Sequence, residues 1–214
     1  MAAHRGYDPH RMDATPRAKL IILTGAPGTG KSAILDALRG EFRCMDEPAR
    51  EVLAEQRASG GRGTWDQDPA LFVHLLLRRS IEKYEAARRL GGTVIFDRGI
   101  PDCVVYALLA ESDPTPSRTA VDAYRYLPQV MFLEPWAEIY RRDDERTVEF
   151  EGTVPFSNAL RDVYEGSEYT LVAVPRASIE DRADFVRDFL RHAGGREASA
   201  CRGPLDSQHP VGPG

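Results

Sequence analysis

The sequence predicts an α/β fold, a five-stranded parallel sheet with helices on both faces and a helical lid. Three observations carry that prediction. Short apolar runs suited to buried strands alternate with stretches of helical periodicity; the first run leads straight into a glycine-rich loop and a helix; and the residues after the strands are polar, as at the ligand-gathering carboxyl ends of a parallel sheet. The 214 residues, 42% hydrophobic and 29% charged, are enough to bury one full core.

Each element has its own local reason. Lys19 to Leu23 (KLIIL) is the first strand, and Ala33, Ile34, Leu35, Ala37 and Leu38 are helix formers. Phe42 to Met45 is a second strand, followed by a helical stretch from Ala49 to Arg57. Asp68-Pro69 reads as an N-cap with proline in the first turn, and Val73, Leu77, Ile81 and Tyr84 follow at helical spacing until Gly91-Gly92. Thr93 to Phe96 is the third strand, Cys103 to Ala110 a helix, and Gln129 to Leu133 the fourth strand. A helix is expected from Trp136 to about Phe150, and a fifth strand from Tyr169 to Val174. The last helix opens at Ser178 with Asp181 three residues on, a capping box with Asp in place of Glu, and sets Ile179, Ala183, Val186 and Leu190 on one face. The stretches ASGGRG (58–63) and SDPTPS (112–117) read as loops.

Composition narrows the function. Residues 1–17 and 194–214 lack apolar periodicity and are expected to be disordered tails around one domain, residues 18–193. No apolar run approaches the ~20 residues of a membrane span and no signal-peptide core is present, so no membrane partner and a cytoplasmic location are expected. A net charge of −5 argues against a dedicated nucleic-acid binder. Cys44, Cys103 and Cys201 form no C-x-x-C pair, so neither a disulfide framework nor a zinc site is expected.

The chemistry starts at TGAPGTGKS. Gly25, Gly30, Lys31 and Ser32 fit the pattern G-x-x-x-x-G-K-[ST], placed between a strand and a helix as that pattern requires. Glycines let backbone N–H groups converge on phosphate oxygens, and the helix N-terminus adds partial positive charge. Lys31 can reach the β and γ phosphates and Ser32 can ligate Mg²⁺. The loop therefore predicts the P-loop NTPase fold, with Gly25, Pro27, Gly28, Thr29, Gly30, Lys31, Ser32 and Ala33 binding a nucleoside triphosphate.

Other residues are read against that loop. Asp97 ends the third strand, where such proteins hold a carboxylate near Mg²⁺. Arg98 can contact a phosphate or an acceptor, or pair with a nearby carboxylate. Glu47, after the second strand, is placed to take a proton from an acceptor hydroxyl; Asp46 competes for that role, and either can instead cap the next helix. Arg142 and Arg146 lie four apart on one helical face and suit a lid that closes over a triphosphate, with Arg141 a weaker candidate; pairing with neighbouring acids is the alternative. Trp65 can stack on a flat acceptor or anchor its loop on the core.

The set GAPGTGKS, DEPAREV, FDRGIPD, EIYRRDDER and ASIEDRADFV resembles the P-loop AAA-like ATP/GTPase family related to the nicotinamide riboside kinase domain of NadR, within the nucleoside/nucleotide kinase-like group. The resemblance spans about residues 18–192. It implies a kinase-type fold with Mg²⁺-nucleotide at Gly28, Gly30, Lys31 and Ser32 and an arginine-bearing lid. Asp97-Arg98-Gly99 is similar to, yet departs from, the Glu-Arg-Ser motif of deoxynucleoside kinases. The expected activity is transfer of the γ-phosphate of ATP or GTP to a small-molecule hydroxyl, with Lys31, Glu47, Asp97, Arg142 and Arg146 catalytic, Asp46, Glu47, Trp65 and Arg98 at the acceptor, and Ser32 and Asp97 on the metal. The alternative is a nucleotide-dependent switch or adaptor read by a protein partner.

Overall fold

Leu20, Ile21, Ile22 and Leu23 are all buried, and the strand they form is the middle of the sheet. In the computed structural model, which describes residues 18–140 and 149–192, β1 (Lys19–Gly25) pairs in parallel with β3 (Thr93–Asp97) on one side and β4 (Gln129–Leu133) on the other. β2 (Arg43–Met45) and β5 (Thr170–Ala173) form the edges of an all-parallel sheet ordered β2-β3-β1-β4-β5. The chain moves outward from β1 to β2 and returns through β3, then crosses β1 to reach β4. The carboxyl end of β1 thus lies at the switch in strand order, where a crevice opens between the loops.

Alternation along the strands divides the core into two layers. Leu20 and Ile22 join Val94, Phe96, Val130 and Phe132 under α4 (Ile100–Leu109), α5 (Thr115–Ala123) and α6 (Phe150–Gly166). Ile21 and Leu23 join Ile95 and Met131 under α1 (Lys31–Leu38) and α7 (Ile179–His192). Each such fully buried side chain contributes about 1.5–3 kcal/mol of transfer free energy. α2 (Pro48–Ser59) and α3 (Pro69–Ala87) attach to α4 through a smaller cluster that includes Val52, Phe72, Leu76 and Cys103. Cys44 is half-buried and Cys103 buried, both as free thiols. Among the described residues, no helix is long and apolar enough to cross a membrane.

Local signals account for most helix ends. Asp68 caps α3 by accepting from Leu71 N at 3.0 Å, with Pro69 in the first turn. Ser178 Oγ accepts from Asp181 N at 3.1 Å at the start of α7. Two expectations need correction. The helix expected from Trp136 to about Phe150 is not formed as such: Ala137–Ile139 make a single 3₁₀ turn, residues 141–148 lie outside the described residues, and the helix is α6, which begins at Phe150. Its buried stripe is Thr153, Ser157, Leu160 and Tyr164, in which two small hydroxyl residues and the internal Pro155 hide the helical pattern from an apolar-periodicity reading. SDPTPS is likewise only partly a loop, because α5 begins at Thr115, whose N–H donates to Asp113 Oδ1 at 2.9 Å. Both tails fall largely outside the described residues.

Gly25, the last residue of β1, has φ of 146°, and a Cβ there would stand 2.3 Å from the Leu133 carbonyl oxygen across the β1–β4 ladder. Backbone cannot yield as a flexible side chain does. Gly25→Ala is expected to lower stability by about 3 kcal/mol, read from urea unfolding; an unchanged midpoint would mean that the β1 end accommodates a side chain.

Candidate active site

The residues after β1 turn back on themselves and enter α1. Gly28 and Gly30 have φ of 76° and 84°, conformations that a side chain strains, and a Cβ on Gly28 would meet the Tyr140 ring at 2.5 Å. Thr29 Oγ1 ties the loop to itself by donating to Ala26 O at 2.9 Å. Lys31 opens α1 and reaches back across the loop, where Nζ donates to Gly25 O at 3.0 Å and to Ala26 O at 2.9 Å. Burial, and then the neighbouring Arg98 charge, lower its pKa to about 7. Ser32 is exposed beside it, while Pro27 and Ala33 are half-buried.

Asp97 ends β3 next to this loop. One of its oxygens lies 3.5 Å from Ser32 Oγ, long for a hydrogen bond, and the other, Oδ1, is buried without any partner. Burial pushes its pKa above the usual carboxylate value, Lys31 opposes the shift, and Glu47 adds to it. An orphaned carboxylate oxygen beside an exposed hydroxyl is a donor set suited to a hard divalent cation such as Mg²⁺. Among the described residues, no three His, Cys, Asp or Glu side chains gather into a protein cage.

Arg98 joins the loop to the next strand's end. It has a φ of 69°, unusual for a residue with a side chain, and its guanidinium is 5% exposed. Nε donates to Glu47 Oε1 at 2.8 Å, and Nη1 to Gly25 O at 3.1 Å and Asp102 Oδ1 at 2.9 Å. Asp102, in the first turn of α4, also accepts from Thr24 Oγ1 at 2.8 Å, Gly99 N at 3.0 Å and Tyr164 Oη at 2.5 Å. Every lone-pair direction of this buried carboxylate is engaged. Asp102 lies within FDRGIPD, four residues after Arg98, where its spacing alone marks no role for it; Tyr164 carries no sequence signal.

The two acidic residues after β2 part ways. Glu47 accepts from Arg98 and from Arg50 Nε at 2.9 Å; burial opposes its ionisation, but the charges of Arg98 and Lys31 and the Arg50 hydrogen bond prevail, and its pKa falls to about 2. Asp46 points outward, its carboxylate exposed and paired with Arg39, so the structure does not bring it to this cluster. Trp65 is 39% exposed and packs edge-on against Phe72 and Tyr106, at 5.9 and 5.8 Å between centroids. Tyr106 meets Phe156 at 5.7 Å, and Arg98 Cζ lies 5.5 Å from the Phe156 ring centre. An aromatic wall therefore runs from Trp65 to Arg98. Arg141, Arg142 and Arg146 lie outside the described residues.

A family model described as an AAA domain matches residues 20–182. No curated protein matches the chain. Among solved structures, thymidylate kinase from Candida albicans aligns with a TM-score of 0.59 and 15% identity over 83% of this chain and 93% of that one. NadR protein in complex with NR aligns with a TM-score of 0.59 and 21% identity over 82% of this chain, which spans 51% of that one. Deoxyadenosine kinase from M. mycoides with bound dATP gives 0.51 and 18% over 80% of this chain and 99% of that one. At these identities the likeness is one of fold.

The arginine pair around Glu47 predicts an acid sensitivity with a definite sign. Its folded pKa of about 2 lies below the ordinary 4.5, so its stabilising contribution is present above pH 4.5 and lost as pH falls towards 2. The raised pKa of Asp97 acts in the opposite direction, since its protonation favours the folded state. Wild type should exceed Glu47→Gln by about 2 kcal/mol near pH 6, with the difference shrinking as pH drops below about 4.5. A difference independent of pH in urea unfolding would show that Glu47 is not held ionised by its neighbours.

Proposed function

The chain belongs to this AAA-domain family, and on that premise we propose that it is a Mg²⁺-dependent small-molecule kinase, moving the γ-phosphoryl group of ATP or GTP to a hydroxyl of a nucleoside-like or secondary metabolite. The observation that carries the reading is Glu47, joined to Arg98 at 2.8 Å and set between the loop of Lys31 and the aromatic wall. Nucleotide hydrolysis makes no use of an aromatic wall, whereas a ring-bearing acceptor can pack on one. The names of the structural neighbours, thymidylate kinase and deoxyadenosine kinase, support a nucleoside-like acceptor.

Within this reading the chain's own groups divide the work. The Gly28 and Gly30 backbone and Lys31 cradle the β and γ phosphates, which draws Lys31 away from the Gly25 and Ala26 carbonyls. Ser32 and Asp97 would hold Mg²⁺, which when bound supplies charge compensation to the phosphates. Glu47, ionised at neutral pH, accepts a hydrogen bond from the acceptor hydroxyl and takes its proton as the oxygen bonds to phosphorus; Asp97, with its raised pKa, is the competing base. Arg98 holds Glu47 in place, and the part-exposed Trp65, braced edge-on by Phe72 and Tyr106, offers a ring to the acceptor. Arg142 and Arg146, by their spacing, are assigned to the charge on the transferring group.

The test combines a screen with variants. Labelled ATP and GTP are incubated with hydroxyl compounds, and labelled product other than phosphate is scored. Lys31→Ala is expected to remove nearly all nucleotide turnover while leaving the fold intact. Glu47→Gln should lower transfer by about 10²–10⁴-fold with nucleotide affinity little changed, whereas Asp97→Asn should damage Mg²⁺-dependent binding and transfer together. Undiminished transfer in Glu47→Gln would remove that residue from the mechanism. A chain that yields no phosphorylated acceptor, only hydrolysis stimulated by a protein partner, would be the switch instead.

A further inference from the structure

Among the described residues, two buried arginines touch the phosphate loop, and one of the two, Arg182, has no counter-charge. Arg98 reaches the Gly25 carbonyl and is compensated by Glu47 and Asp102. Arg182 comes from the other side, in the first turn of α7, and is 4% exposed. Its Nη2 donates to Thr29 O at 2.6 Å, and a Cβ on Gly30 would stand 2.9 Å from Nη1. Its Cζ lies 5.7 Å from the centre of the Trp136 ring. Among the described residues it forms no ion pair, and its Nε has no hydrogen-bond partner. Burial lowers its pKa, with no acidic neighbour acting the other way.

Such an arrangement is unfavourable by itself. A buried guanidinium without a counter-ion carries a desolvation penalty that one carbonyl and one ring face do not offset. Its place in the first turn of α7 puts it at the positive end of the helix dipole, where Glu180 and Asp181 supply acidic charge but neither pairs with Arg182. Among the described residues no group supplies the missing counter-charge, and the loop that Arg182 touches is the one read as a polyanion site.

We propose that Arg182 is a counter-charge for the nucleotide's phosphates, acting through the loop from its carbonyl side. This rests on the reading of residues 25–32 as a triphosphate site. The described peptides are all trans, so the Thr29 carbonyl and the Gly30 N–H, which belong to one peptide unit, point in opposite directions. By holding that carbonyl at 2.6 Å, Arg182 aims the Gly30 N–H away from itself and polarises it as a donor. It also adds a full positive charge behind the loop. Lys31, the α1 N-terminus and Arg182 then converge on the anion, and Arg182 does so without touching it. It is a positioning residue, and the sequence held it in plain view within ASIEDRADFV.

The experiment compares wild type with Arg182→Met, which keeps an apolar stem, and Arg182→Lys, which keeps the charge. Affinities for inorganic tripolyphosphate, ATP and GTP are measured by calorimetry, together with the melting temperature of each nucleotide-free protein. Arg182→Met should bind all three ligands about tenfold more weakly or worse, and alike, while its nucleotide-free melting temperature stays level or rises. Arg182→Lys should recover affinity to within about threefold of wild type. Wild-type affinity for tripolyphosphate in Arg182→Met overturns the proposal. So does a loss confined to ATP and GTP, which would make Arg182 a reader of the base, and so does equal loss in both variants with a lowered melting temperature, which would make it a structural peg. Failure of wild type itself to bind any of the three would instead overturn the triphosphate site on which the proposal stands.

Discussion

The buried pairing of Arg98 with Asp102 is the constraint on which the rest of the site depends. The pair joins the end of β3 to the first turn of α4, and through Asp102 it also holds Thr24 of β1 and Tyr164 of α6. The backbone at Arg98 sits at φ 69°, a conformation that is unfavourable by about 1–3 kcal/mol unless its surroundings impose it. They do so here: Arg98 N donates to Leu23 O at 3.1 Å, and the guanidinium is fixed by two carboxylates and a carbonyl. Removing Asp102 would leave Arg98 with Glu47 as its counter-charge and would orphan the buried Thr24 and Tyr164 hydroxyls and the Gly99 N–H. Glu47 is where it is because Arg98 is where it is.

Charge is arranged by depth and by side. Towards β3 lie Lys31, Arg98, Glu47, Asp97 and Asp102, a set in which positive and negative groups interleave: Arg98 pairs with Glu47 and Asp102, while Asp97 keeps one oxygen without a partner. Towards α7 lies Arg182, which forms no ion pair among the described residues. The balanced side suits a place where a metal ion, a phosphate and a hydroxyl must meet in fixed geometry. The unbalanced side suits an anion. A loop between the two is biased in the direction that a polyphosphate on it would need, and the shape of the bias comes from three helices, α1, α4 and α7, entering from different layers of the core.

Much of this was legible in the sequence, and what was not has physical causes. Strand, loop and helix around Lys31 are local in the chain, so residue order alone reveals them. The choice between Glu47 and Asp46 is not local: it turns on which of two adjacent side chains faces Arg98, fifty-odd residues away, and only the β2–β3 register decides it. Asp102 was within a quoted motif, but its importance lies in a hydrogen bond to Tyr164 of α6, a helix hidden by Thr153, Pro155 and Ser157. Arg182 reads as an ordinary polar residue of an amphipathic helix. Its burial appears only once α7 packs on α1 and meets the loop.

One carbonyl makes the donor and acceptor halves of the site a single unit. Gly25 O accepts from Lys31 Nζ at 3.0 Å and from Arg98 Nη1 at 3.1 Å. Lys31 serves the phosphate loop, and Arg98 orients Glu47. Any displacement of Lys31 towards a phosphate leaves Gly25 O to Arg98 alone and removes a cation from the neighbourhood of Glu47 and Asp97, whose ionisation it favours. Groups that share a partner do not respond independently. Gly25 also has no room for a side chain, since a Cβ there would stand 2.3 Å from the Leu133 carbonyl oxygen. The shared carbonyl therefore couples Lys31 to Arg98: a change in either hydrogen bond alters the surroundings of the other cation and, through Arg98, of Glu47.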